Sequence, residues 1–281
     1  MNLHRETAEI FVPDGLPPDQ ALRRTTHLAV SAHQDDIEIM AAGPILECFQ
    51  RLDRWFTGVV VTDGRGSPRN GIYGRLSDEE MRLVRFKEQR KAAMIGEYAA
   101  QIMLDYPSEE VKGSNTLPVD DLASILMATR PQLVYTHNLA DKHDTHVGVA
   151  LRVIAAIRTL PMEMRPQKVY GCEVWRGLDW MMDDDKFVFD LSGPENLQAA
   201  LLGVFDSQIS GGKRYDLASL ARRKENATYF ETHGLDSTTS LSFGLDMTPL
   251  ILDDGIEPLA FIQEFIQHFA QDVTDRLNRV S

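Results

Sequence analysis

The chain has 281 residues, 43% hydrophobic and 25% charged, the composition of an ordinary globular protein. Its formal net charge of −13 argues against a nucleic-acid partner, which would need a basic face. No apolar run approaches the ~18 residues of a membrane span. The start, Met1-Asn2-Leu3-His4-Arg5-Glu6, lacks the basic-then-apolar order of a signal peptide. Cys48 and Cys172 lie far apart without CxxC spacing. They read as buried fillers, and the expected setting is a reducing cytoplasm.

Residues 1–25, with Pro13, Gly15, Pro17 and Pro18, read as an irregular N-terminal arm with His4 in solvent. Residues 26–281 then read as one α/β domain: a Rossmann-like core to residue 176 and a C-terminal α/β elaboration over 177–281. The first strand is the apolar run Leu28-Ala29-Val30-Ser31-Ala32, begun by a structural His27. It ends in His33-Gln34-Asp35-Asp36, and a helix follows from Ile37 to Arg51 with apolar residues at helical spacing. A second strand, Thr57–Thr62, ends in Asp63-Gly64 and a glycine-rich loop. Ser77 and Glu80 form a capping box for a helix to about Gly96. On it Arg85 and Glu88, three apart, are placed to pair on one face.

A third strand runs from Ala100 to Tyr106, and a helix from Val119 to Thr129 stops before Pro131. A fourth strand, Gln132–Thr136, leads into a loop ending His143-Asp144-Thr145-His146, then a helix to Thr159. The fifth strand is Lys168–Trp175. This alternation predicts a doubly wound, mostly parallel sheet with helices on both faces. Beyond it come a short strand at 187–191, a helix from Ser192 to Gln208 capped by Ser192 and Glu195, and a helix over Asp216–Phe230. Residues 231–248 read as loop, and a long helix closes the chain over Ile256–Leu277 with Phe261, Phe265, Phe269 and Val273 on one face. The basic groups Lys213-Arg214 and Arg222-Arg223-Lys224 read as solvated, and a homo-oligomer is compatible with the pattern.

Ligands of open α/β sheets bind outside the carboxyl ends of the strands. Two such ends here offer His33, Asp35, Asp36, His143 and His146. Imidazole and carboxylate suit zinc or another borderline divalent metal. One His and one Asp from the first loop with one His from the second fill the three protein places of a catalytic site. A remaining Asp then serves as general base and a remaining His stabilises an oxyanion or protonates a leaving amine, the chemistry of amide or ester hydrolysis. No GxSxG elbow is present, and Ser210-Gly211-Gly212-Lys213 lacks the companions of an SxxK nucleophile.

These residues resemble a family. Ala32-His33-Gln34-Asp35-Asp36 is similar to the AHPDD signature of the PIG-L/LmbE-like zinc-dependent N-deacetylases, with Gln34 in the proline's place. Thr62-Asp63-Gly64, Arg85-Phe86-Lys87-Glu88 and His143-Asp144-Thr145-His146 resemble its later marks, in order, over about residues 27–175. Thr145 departs from HPDH, and Phe205 stands where a histidine is frequent. The resemblance implies His33, Asp36 and His146 as zinc ligands, with iron(II) or another divalent metal as alternatives. It implies Asp35 as general base and His143 as stabiliser of the tetrahedral intermediate. Arg85 becomes a substrate contact and Asp63 a supporting or substrate group. The implied function is removal of an acyl group from an N-acylated small molecule, an amino-sugar derivative foremost. The alternatives are cleavage of another amide, such as a thiol conjugate, and a metal-binding homologue without turnover.

Overall fold

A computed structural model describes residues 1–230 and 234–281. Its strands are β1 (Glu9–Phe11), β2 (His27–Ser31), β3 (Phe56–Thr62), β4 (Ala100–Tyr106), β5 (Leu133–His137), β6 (Lys168–Cys172), β7 (Lys186–Asp190) and β8 (Leu241–Asp246). They form one sheet in the order β1-β4-β3-β2-β5-β6-β8-β7. The five from β4 to β6 are parallel, and β1, β7 and β8 are antiparallel additions at the two ends.

Strand periodicity assigns the two faces. Leu28, Val30, Val59, Val61, Ile102 and Leu104 belong to one apolar cluster, and the alternating Ala29, Val60 and Met103 belong to another. The first cluster is completed by the Leu117–Thr129 and Asp144–Arg158 helices. The second is completed by residues of the Asp36–Met40, Ala42–Cys48, Asp78–Ile95 and Glu195–Gly203 helices. Burial on both faces explains why the parallel strands read as continuous apolar runs.

The chain runs outward from β2 through β3 to β4, then returns to the other side of β2 to lay down β5. The strand order therefore reverses between β2 and β5, and a crevice opens above their carboxyl ends. The two histidine-bearing loops leave from these two ends.

Several elements differ from their sequence reading. The arm is ordered: β1 pairs antiparallel with β4, and a helix spans Pro18–Arg23. His4 is half-exposed and bonds the buried Asp121 at 2.7 Å. The helix expected over 37–51 is two, Asp36–Met40 and Ala42–Cys48. Pro44 cannot donate to the Met40 carbonyl, so the ladder breaks there. The expected 192–208 helix is also two, Glu195–Gly203 and Asp206–Ile209, and the Ser192 hydroxyl accepts from Thr239 N instead of capping. The fifth strand stops at Cys172.

Within the stretch read as loop, residues 231–233 lie outside the described residues, and 241–246 form β8. Buried Glu173 anchors β8 by accepting from Phe243 N at 2.8 Å and Asn226 Nδ2 at 3.0 Å. Arg223 is buried rather than solvated, donating to Gln198 and to the Glu38 and Ile39 carbonyls. The final helix, Pro258–Val280, buries Phe261 and Ile262 but leaves Phe269 and Val273 about 40% exposed.

Candidate metal and active site

The loop after β2 turns back on itself. Asp36 Oδ2 accepts from His33 N at 2.8 Å, closing a short turn at the start of the Asp36–Met40 helix. Asp35 sits inside that turn at φ 90°, a left-handed conformation that is strained for a residue with a Cβ. Its N–H donates to Gln89 Oε1 at 3.3 Å, and its carbonyl accepts from Ile39 N at 3.2 Å. Gln89 is in turn held by buried Glu38, which also accepts from Tyr98. Burial pushes the Glu38 carboxyl up to about 8, against the Tyr98 hydrogen bond.

The Asp36 carboxylate faces the second loop. Its Oδ2 lies 3.3 Å from His33 Nδ1, 3.3 Å from His146 Nε2 and 3.6 Å from His137 Nε2. His33 Nδ1 and His146 Nε2 are themselves 3.3 Å apart. Three donor atoms of His33, Asp36 and His146 thus form a triangle with 3.3 Å edges. A tetrahedral zinc site with bonds of about 2.0–2.1 Å has donor–donor edges of about 3.3–3.4 Å. This group of residues therefore fits a divalent ion in both spacing and donor chemistry. Burial alone would raise the Asp36 pKa, but His146, the His33 hydrogen bond and His137 together hold it well below the usual carboxylate range.

Asp141 lies 3.5 Å from His146 Nδ1 on the far side of the ring. A carboxylate behind an imidazole fixes its tautomer and orientation, which here leaves Nε2 free to face a metal. The same Asp141 accepts from His143 N, Trp175 N and Arg176 N, so it also shapes the loop. His137, at the end of β5, stacks on His146 with ring centres 3.9 Å apart. Its Nε2 accepts from Ala32 N at 2.8 Å, which ties the two loops together and commits that nitrogen to the backbone. Burial holds the His137 pKa far down, so the ring is neutral.

Asp35 and His143 flank the triangle. Burial raises the Asp35 carboxyl to about 7, opposed by the Arg85 guanidinium at 3.6 Å. His143 occupies the N-cap position of the Asp144–Arg158 helix without a side-chain capping bond, its ring centre 5.1 Å from that of His33. Burial, then His146 and His33, lowers it to about 4. It is a neutral imidazole that can donate one N–H.

Arg85 is 2% exposed and does not pair with Glu88. It donates Nη2 to the Gln34 carbonyl and Nε to Gln34 Oε1, while Gln34 Nε2 donates to the Thr62 carbonyl. Gly64, at φ 68°, leaves room for Gln34: a Cβ there would lie 2.2 Å from Gln34 Oε1. Arg85 Nη1 has no partner among the described residues. Glu88 instead accepts from both N and Oγ of Ser207, at 2.7 and 2.6 Å. Asp63 is buried beside the site but holds Arg65, at 2.6 Å, and does not line the cavity.

A cavity of about 650 Å³ opens over these groups. His33, Asp35, Asp36, Arg85 and His143 form its floor, and Trp175, Lys213 and Tyr215 belong to its wall. His137, Asp141, Gln89 and Tyr215 were not singled out from sequence, and Lys213, read there as solvated, lines the cavity beside Trp175. His137 and Asp141 lie on the very strand end and loop that carry His143, so the strand-edge argument reaches them. Gln89 and Tyr215 had no local signal.

Residues 28–157 match the PIG-L family, described as GlcNAc-PI de-N-acetylase. No curated protein matches the chain. Among solved structures, N,N'-diacetylchitobiose deacetylase from Pyrococcus horikoshii has a TM-score of 0.64 at 16% identity, over 82% of this chain and 86% of that one. GalB, the 4-carboxy-2-hydroxymuconate hydratase from Pseudomonas putida, has a TM-score of 0.61 at 16% identity, over 79% and 96%. The zinc-inhibited form of teicoplanin deacetylase Orf2 has a TM-score of 0.54 at 16% identity, over 79% and 98%. At these identities the likeness is one of fold.

Proposed function

We propose that the chain, whose residues 28–157 match the PIG-L family, is a zinc-dependent hydrolase that removes an acetyl or other acyl group from an N-acylated small molecule, an amino-sugar derivative foremost. The observation that supports this most is the 3.3 Å triangle of His33, Asp36 and His146 beside a separate, buried Asp35. The chitobiose deacetylase among the structural neighbours acts, by its name, on an N-acetylated sugar. The likeness to a hydratase is one of fold and carries no hydration step here.

His33, Asp36 and His146 would hold the ion, with iron(II) an alternative occupant. A divalent ion supplies Lewis acidity: it polarises an acyl carbonyl and lowers the pKa of a water toward ~7. Asp35 accepts the proton of the attacking water and passes it to the departing amine. Burial pushes the Asp35 carboxyl above the usual carboxylate range, the direction that favours a group which takes a proton and gives it back. Neutral His143 donates its N–H to the developing oxyanion. The free Nη1 of Arg85 is the donor left for a substrate oxygen.

The test is Asp35→Asn in the metal-loaded chain, assayed by amine release from a panel of N-acetylated amino sugars. The expected result is full metal content with turnover reduced about 10²–10⁴-fold. Full residual activity would eliminate Asp35 as the base.

A further inference from the structure

The cavity mouth is built from charge of the opposite sign to the molecule as a whole. The chain carries −13, yet Lys112, Lys142, Lys213, Arg214 and Arg222 all line the cavity. Three of them are already engaged. Lys112 meets Glu109 at 3.8 Å, Arg214 meets Asp216 at 2.7 Å, and Arg222 donates to the Val174 carbonyl. Lys142 and Lys213 have no carboxylate partner among the described residues. Both instead lie over Trp175, with Nζ 6.0 Å and 4.1 Å from the ring centre. Adding the two distances bounds the separation of the ammoniums at about 10 Å, within the ~10 Å reach of a charge at moderate salt. The Trp175 ring is itself 6.1 Å from the ring of His143. An indole face with two unneutralised cations beside it therefore borders the reacting centre.

The placement of Lys213 is anchored in the core. Glu88 fixes Ser207, and a Cβ on Gly211 would fall 1.9 Å from the Ser207 carbonyl, so the chain can pass that point only as glycine. Lys213 N then donates to the Gln208 carbonyl at 2.8 Å. Lys142 directly precedes His143, whose N–H is held by Asp141. Each lysine thus leaves from a backbone pinned by a buried carboxylate. The Ser210–Lys213 stretch, which does not serve as a nucleophile motif, acquires a use here.

We propose that Lys142, Lys213 and Trp175 form an oxyanion subsite at the cavity mouth, selecting N-acylated substrates that carry a carboxylate or phosphate, with a ring of the substrate lying on the indole. This rests on the hydrolase reading above. An acetyl group bears no anion, so the charge belongs to the scaffold that keeps the amine. The subsite accounts for the two lysines left without a carboxylate partner, among the described residues, at one opening of an acidic protein.

The experiment measures binding, so it is independent of turnover. Titration calorimetry on the metal-loaded full chain compares N-acetylglucosamine 6-phosphate, N-acetylmuramic acid and neutral N-acetylglucosamine. At least one anionic probe should bind about tenfold more tightly than the neutral one, with an advantage that shrinks as salt rises. Which probe gains separates a phosphate from a carboxylate site. In the Lys142→Gln/Lys213→Gln double variant the advantage should fall to about twofold or less, and the double Arg variant should restore it. Equal affinity for all probes overturns the proposal. So does a preference that survives in the double Gln variant, which assigns it to the metal centre. Failure to bind any probe overturns it too. Failure of the hydrolase reading shows separately, as no amine released from any substrate by a chain that still discriminates anions.

Discussion

Asp36 Oδ2 is the most heavily engaged atom of the site, facing three imidazole nitrogens within 3.6 Å and accepting one backbone N–H. The neighbouring Asp35 is held apart from this cluster by its left-handed backbone, which turns its carboxylate toward Arg85. In the proposed function, one short turn thereby separates ion holding from proton transfer. Two predictions belong at this scale. His143→Ala removes the N–H offered to the oxyanion but no ligand, so turnover should fall about 10²-fold at unchanged metal content; loss of metal would place His143 in the ligand set. Gln89→Ala leaves the Asp35 N–H without its acceptor and the buried Glu38 carboxyl with Tyr98 as its one side-chain donor among the described residues. Stability should drop by about 2 kcal/mol, read as a Tm lower by about 4–8 °C, and turnover should fall with it. An unchanged Tm would show that Asp35 keeps its conformation without Gln89. The candidate residues were legible in sequence because each loop carries several metal-binding residue types within four positions, His33, Asp35 and Asp36 in one and His143, Asp144 and His146 in the other. His137 was passed over because its partner, Ala32 N, is disclosed only when β5 lies beside β2, and Asp141 because its backbone partners Trp175 and Arg176 follow β6, more than 30 residues on.

At the scale of elements, the parallel strands were legible because burial on both faces demands apolar runs, and the capping box at Ser77 and Glu80 is present as read. The additions at the sheet ends were not. β1 is three residues long, and β8 pairs apolar Leu241, Phe243 and Leu245 with Ser242 and Gly244, so it resembles the serine-rich loop around it. The Asp206–Ile209 helix depends on Glu88, which lies 119 residues from its partner Ser207 and gives no local sign. That tie positions the segment bearing Lys213 and Tyr215. Glu88→Ala should therefore raise KM about tenfold while kcat and metal content stay near wild type. An unchanged KM would mean that the segment is held by other contacts.

Over the whole molecule, the order reversal between β2 and β5 brings the two loops to one crevice, and the stretch after β6 together with later elements lines it with Trp175, Lys213, Arg214 and Arg222. No helix among the described residues is long and apolar enough to cross a membrane. Because His33 and Asp36 follow β2 and His146 follows β5, an ion held by all three staples the sheet at its centre. An ion bound only by the folded chain adds about 4 kcal/mol at a thousandfold excess over Kd. Chelation should then lower the Tm by roughly 10 °C in the wild type and leave His146→Ala unmoved. Equal chelator effects on both would remove His146 from the site. The most direct test of the account is elemental analysis of the purified chain beside His146→Ala. Close to one divalent ion per wild-type chain, falling to a small fraction in the variant, is the predicted result. The same stoichiometry in both proteins, or none in a metal-supplemented wild type, would contradict it.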